Sequence, residues 1–251
     1  MTPFAENGAV HAFNPLTSSW RRLSPSSSSS SFPCARSYHA STASSTHLII
    51  HAGCGDASTG RLKDTWAFEP TSREWAKLPD APGDPRGGTA ITWAKGKVWR
   101  FGGFNGKTEI GEGIDYLPFS GTTDLATSTW SSIPYPTSAI DTGPGARSVA
   151  ALHPLGNSSL VALFGEGKPS PTGGHDSAGN FWGDVWSFDP SSESWKELNI
   201  GASKGEAQGE GPVERGWFGS DTDDQGRRVV VWGGIDKGNE RLGDGWVLSR
   251  G

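Results

Sequence analysis

His11-Ala-Phe-Asn-Pro-Leu-Thr-Ser-Ser-Trp20, Trp66-Ala-Phe-Glu-Pro-Thr-Ser-Arg-Glu-Trp75 and Trp186-Ser-Phe-Asp-Pro-Ser-Ser-Glu-Ser-Trp195 align without a gap. Each reads as a strand, a turn and a second strand. Phe13, Phe68 and Phe188 end the first strand, and the Asn/Glu/Asp-Pro pair sets the turn, because proline fixes φ and short polar residues favour turn conformations. The tryptophan then opens the next strand. A fourth copy ends at Trp130, after Ile114-Asp-Tyr-Leu-Pro-Phe119, with its turn lengthened by a Gly/Thr/Ser-rich insertion over 121–129.

Upstream of these pairs lie apolar runs that close on glycine: Leu48-Ile-Ile-His-Ala-Gly53, Val98-Trp-Arg-Phe-Gly-Gly103, Leu160-Val-Ala-Leu-Phe-Gly165 and Val229-Val-Val-Trp-Gly-Gly234. Two carry a full glycine doublet. In the others it reads as Ala52-Gly53 and as Gly165-Glu166. One arginine precedes each run: Arg36, Arg86, Arg147 and Arg215. Trp20, Trp75, Trp130 and Trp195 are spaced by 55, 55 and 65 residues, a period suited to one propeller blade with loops of varying length. With these motifs the chain resembles the Kelch family, whose blades are four-stranded antiparallel sheets.

The resemblance implies an all-β, Kelch-type β-propeller of about four to five blades within a single domain, residues 1–251. A partial blade spans 8–23, whole blades 34–78, 84–133 and 143–198, and a partial blade 212–249. First and last blades are incomplete, and N-terminal blades are expected to be missing. The strand Ser19-Trp-Arg-Arg-Leu23 is the expected partner that completes the last sheet, since closure removes exposed edges. Trp75, Trp130 and Trp195 are expected between neighbouring blades.

Composition bounds the function. With a net charge of −5 and no dense Lys/Arg run, a nucleic-acid partner is not expected, because phosphate affinity rests on clustered cations. No apolar run approaches the roughly 18 residues of a bilayer span, and the start has neither a cationic nor an apolar signal region. A cytoplasmic protein is expected, with Cys34 and Cys54 as free thiols.

Two groups of residues carry candidate chemistry. Arg36, Arg86, Arg147 and Arg215 recur at the entry to successive innermost strands. Repetition about an axis predicts either a central pocket that binds anions through charge-assisted bonds or arginines that pin loops by bonding carbonyls. The second group lies in the long loop Phe164-Gly-Glu166-Gly-Lys-Pro-Ser170-Pro-Thr-Gly-Gly-His175-Asp176. Here the sequence resembles the plant nitrile-specifier and thiocyanate-forming proteins and their fungal relatives. That resemblance implies Fe(II) held by Glu166, Ser170 and His175, with His175 one residue beyond the family spacing and Asp176 as a substitute oxygen ligand. Ferrous iron suits mixed carboxylate and imidazole ligands. The same resemblance places His39 and Trp217 facing the pocket.

Two function classes follow. One is an Fe(II)-assisted, non-redox lyase or isomerase acting on an anionic small molecule. The other is a protein–protein scaffold that reads acidic peptide motifs. Fold alone does not separate them, and no hydrolase or nucleotide-binding motif is present.

Overall fold

The computed structural model describes residues 6–26, 31–121, 128–135, 143–156, 158–168, 179–200, 211–223 and 225–249. Among them the regular structure is entirely β. A hairpin of β1 (Val10–Asn14) and β2 (Ser19–Leu23) is followed by β3 (Ala40–Ala43), β4 (Leu48–Cys54), β5 (Arg61–Glu69) and β6 (Glu74–Leu78). Next come β7 (Ala90–Ala94), β8 (Lys97–Phe101), β9 (Gly113–Pro118) and β10 (Ser131–Pro134), then β11 (Ala151–Leu155), β12 (Ser159–Leu163), β13 (Val185–Asp189) and β14 (Ser194–Glu197). The chain ends on β15 (Gly219–Thr222), β16 (Arg228–Trp232) and β17 (Gly245–Ser249). Strand order follows chain order in every sheet: β1-β2, β3 to β6, β7 to β10, β11 to β14, and β15-β16-β17. This is the meander of propeller blades.

The recurring hairpin forms for a local reason. In the turn, the Asn14 carboxamide oxygen accepts from the Leu16 N–H at 2.9 Å and the Asp189 carboxylate from the Ser191 N–H at 2.8 Å. Ser18, Arg73 and Glu193, each just before the returning strand, adopt left-handed backbone with φ of 49°, 61° and 52°, which reverses the chain. Phe and Trp then stand directly opposite each other, as Phe13↔Trp20, Phe68↔Trp75 and Phe188↔Trp195. Their ring centroids lie 4.9–5.0 Å apart.

The chain divides into two compact units: Met1–Gly87, Trp93–Trp99 and Tyr116–Ser131 in one, Gly88–Thr92, Arg100–Asp115 and Ser132–Gly251 in the other. The first is centred on Ile49, Ala67, Leu78, Val98, Leu117 and Phe119, with Trp93 and Trp130 against them. The second is centred on residues from β11, β12 and β13 packed on Val229 and Val231 of β16. Second strands such as β4 and β12 are apolar throughout because both of their faces are covered.

Each second strand ends in two left-handed residues with different demands. The first has φ of 58° at Ala52, 66° at Gly102, 51° at Phe164 and 64° at Gly233, a region open to other residues at modest cost. The second has φ of 101° at Gly53, 110° at Gly103, 104° at Gly165 and 110° at Gly234, where only glycine is at ease. This corrects the reading of the third repeat: its doublet is Phe164-Gly165, and Glu166 is the residue after it. The second glycine also joins successive sheets. Gly53, Gly103 and Gly165 donate their N–H to the carbonyls of Arg86, Arg147 and Arg215 at 2.9, 2.8 and 2.9 Å.

A second correction concerns closure. Among the described residues β2 pairs with β1 alone, and the last sheet has three strands, so the strand Ser19–Leu23 does not complete it.

The two glycine positions should respond differently to alanine. A Cβ at Gly53 meets the Ser37 carbonyl at 2.6 Å and the His39 nitrogen at 2.9 Å, both backbone. At Gly233 the nearest atom is the Leu242 carbonyl at 3.1 Å, and Ala52 already occupies the matching place. Urea denaturation should show Gly53→Ala losing about 3 kcal/mol and Gly233→Ala about 1 kcal/mol. Equal losses would contradict this assignment.

Candidate functional site

Arg36, Arg147 and Arg215 build the same knot in three sheets. Each Nε donates to the carbonyl two residues back: Cys34 at 3.1 Å, Gly145 at 3.2 Å and Val213 at 3.0 Å. One terminal nitrogen donates to the carbonyl of the first doublet residue: Ala52 at 3.1 Å, Phe164 at 2.9 Å and Gly233 at 3.0 Å. Both terminal nitrogens then grip an aspartate: Asp64 at 2.7 and 2.8 Å, Asp184 at 2.6 and 2.9 Å, Asp244 at 2.7 and 2.8 Å. The indoles of Trp66, Trp186 and Trp246 donate to the same carboxylates. The hydrogen bonds from Arg215 hold the Asp244 carboxyl down to about 2. Burial pushes Asp64 up, but the bonds from Arg36 and Trp66 prevail and leave it below its ordinary value.

These guanidiniums are buried and their donors are engaged within the blade. The expected anion-binding ring is thereby corrected for Arg36, Arg147 and Arg215: an anion would have to displace an aspartate from a bidentate, charge-assisted pair. The pinning reading describes them better, with the addition of the carboxylate. Arg86 is also buried, and its Nε donates to the Asp84 carbonyl at 3.1 Å. The sequence signal that was missed is Asp-x-Trp, at 64/66, 184/186 and 244/246.

Glu166 stands apart from this scaffolding. It exchanges backbone hydrogen bonds with Ser148, both 2.8 Å, in the bridge that Cys54 makes with Ser37 and Ile235 with Gly216. Where the other sheets put Cys54 and Ile235, the third puts a carboxylate, and it is buried. One of its oxygens accepts from the Gly179 N–H at 3.1 Å, the other from the Trp217 indole at 3.3 Å. A buried acid outside an ion-pair motif is costly and marks a place with a task.

A second carboxyl shares this neighbourhood. Glu109 lies in the β8–β9 connection, bridged to Phe104. Burial first, and the adjacent Glu166 carboxylate second, push it up to about 7. Two interacting carboxyls with one that keeps its proton near neutrality can take up a proton, give one up, or hold a cation. The half-exposed rings of Trp217 and Trp182 lie in the same unit. Trp182 donates to the Ala146 carbonyl at 3.3 Å, and the Arg147 guanidinium stacks 4.8 Å from its ring centroid. Neither Glu109 nor Trp182 was singled out from sequence, since both sit in loops without a repeated motif.

Of the expected iron ligands, Glu166 is described, whereas Ser170, His175 and the substitute Asp176 lie outside the described residues. Among the described residues no three His, Cys, Asp or Glu side chains come together as a metal group. Trp217 reaches Glu166 as above. His39 is exposed and belongs to the other unit, its imidazole held below the ordinary range by the surrounding protein and then by the Arg36 charge.

The sequence profile described as the KLHDC2/KLHL20/DRC7 Kelch-repeats domain matches residues 4–207. Among solved structures the chain is similar to that of YjhT, at 17% identity and a TM-score of 0.68, covering 96% of this chain and 73% of that one. At that identity the likeness concerns the fold.

The carboxyl pair makes stability depend on pH in a defined direction. Glu109 titrates near 4.5 when unfolded and about 7 when folded. The native state therefore holds the extra proton between those values, and stability falls as pH rises through that window and levels off above it. Urea titrations from pH 4.5 to 8 should show this slope in the wild type and its loss in Glu109→Gln. An unchanged slope would assign it to other groups.

Proposed function

Because the chain belongs to the KLHDC2/KLHL20/DRC7 Kelch-repeats domain family, we propose that it is a binding module. It engages the cationic side chains of a partner protein at the Glu166–Glu109 carboxyls and Trp217. The observation that carries this reading is the inversion of the available charge: three motif arginines are buried on aspartates, while the unexplained buried charge is Glu166 beside a half-exposed indole. Carboxylates and an aromatic face suit a guanidinium or ammonium group by charge-assisted bonds and cation–π attraction. An acidic motif fits this surface poorly.

The competing reading is an iron-assisted lyase or isomerase. It rests on Glu166 with Ser170 and His175, and it requires Glu166 to turn from the Trp217 and Gly179 N–H donors to a cation. Iron, when bound, would supply a Lewis-acidic centre with open positions. The residues described here favour the binding module, because the donors that meet Glu166 present hydrogens where a metal would sit.

The test uses two labelled peptides of equal length, one centred on Arg-Gly-Arg and the other on Glu-Gly-Glu, with fluorescence anisotropy as readout. The Arg peptide should bind the wild type, weaken at least tenfold in Glu166→Gln and in Trp217→Ala, and bind more tightly as pH rises through about 7, where Glu109 loses its proton. Tighter binding of the Glu peptide, or indifference to Glu166→Gln, would overturn the proposal. Stoichiometric iron lost on His175→Ala would favour the enzyme.

A further inference from the structure

The second strand of each sheet carries two side chains that are covered in the interior of the fold. Ile49 and His51 of β4, and Val161 and Leu163 of β12, are at most 1% exposed. What covers them is the following sheet. Ile49 packs with Val98 of β8, and Val161 and Leu163 pack with Val229 and Val231 of β16. The same positions on β16 are Val230 and Trp232, and they are 48% and 64% exposed. Val247 of β17, which matches the fully buried Ala67, is 60% exposed. β17 pairs on one side with β16. One face of the last sheet is thus built for a following blade.

The opposite half of that contact is also present on this chain. The tryptophan opening each fourth strand seats on the preceding sheet: Trp75 donates to the Gly8 carbonyl at 2.7 Å, and Trp130 to the Pro79 carbonyl at 2.9 Å. The residue that receives the ring is the one equivalent to Trp232. The Trp130 ring lies 5.7 Å from His51 and the Trp195 ring 5.6 Å from Phe101. In the β1–β2 hairpin the same tryptophan is Trp20, and with its cross-strand partner Phe13 it is 69% and 49% exposed, whereas Phe68 and Phe188 are fully buried.

We propose that the β16–β17 face of one chain docks the β1–β2 hairpin of a second copy, with Trp20 against Trp232, continuing across molecules the blade-to-blade contact already repeated within each. Both surfaces are apolar and of the type this chain already uses internally, which is why a second copy is the occupant. The contact is heterologous, so it leaves one of each surface free on a dimer and extends to larger assemblies as concentration rises.

Sedimentation and light scattering between about 1 and 100 µM should show the wild-type mass rising with concentration. Trp20→Asp and Trp232→Asp should each stop growth into longer assemblies and remain monomeric alone. Mixed one to one they should form a dimer, because each supplies the surface that the other lacks. Both sites are exposed, and circular dichroism will verify folding; Val247→Lys provides a second variant of the receiving face. A wild type that stays monomeric over the whole range would overturn the proposal. So would variants that associate like the wild type, or a mixture that does not dimerise.

Discussion

The bidentate pair between a motif arginine and a third-strand aspartate is the interaction on which the rest of the structure depends. It ties the entry of the first strand to the end of the second and to the third, so one side chain organises most of a sheet. The same arginine's backbone carbonyl receives the glycine N–H of the preceding sheet. Side chain and main chain thereby act at two levels, within a blade and between blades. The aspartate is held in turn by an indole two residues on. A buried guanidinium is tolerated here because its desolvation is offset by a full set of acceptors.

Once the arginines are accounted for, the charge available for recognition has the opposite sign. The residue following the glycine pair is Cys or Ile in two sheets and glutamate in the third. That position is buried by the sheet architecture itself, so the exchange places a carboxylate in the protein interior next to Glu109. A repeat protein acquires function where one unit departs from the others, since the common features are already needed for folding. Glu166 is such a departure.

Much of the fold was legible because the hairpin chemistry is local: proline, short polar residues and the Phe/Trp pair lie within ten residues. The recurrence of Arg and of glycine-terminated apolar runs was equally plain. Less visible was the register of the third doublet. Gly165-Glu166 and Phe164-Gly165 both look like one surviving glycine, and only the φ of 104° at Gly165 decides which side is lost. The arginine partners were hidden by distance, 28 residues for Arg36 to Asp64 and 37 for Arg147 to Asp184. The role of Glu109 depends on burial and a neighbour, which no local pattern encodes. The expected completion of the last sheet failed because β2 already has β1 as its partner, while Ser170 and His175 fall outside the described residues.

The account stands or falls on whether the arginine–aspartate pair is a structural element rather than a recognition site, and a double-mutant cycle measures that directly. Urea stabilities of the wild type, Arg147→Met, Asp184→Asn and the double variant give the coupling energy between the two side chains. A structural knot predicts strong coupling of about 2–3 kcal/mol, with the double variant more stable than the sum of the single losses implies. Additive losses with no coupling would contradict it and return Arg147 to the list of groups free to meet a ligand.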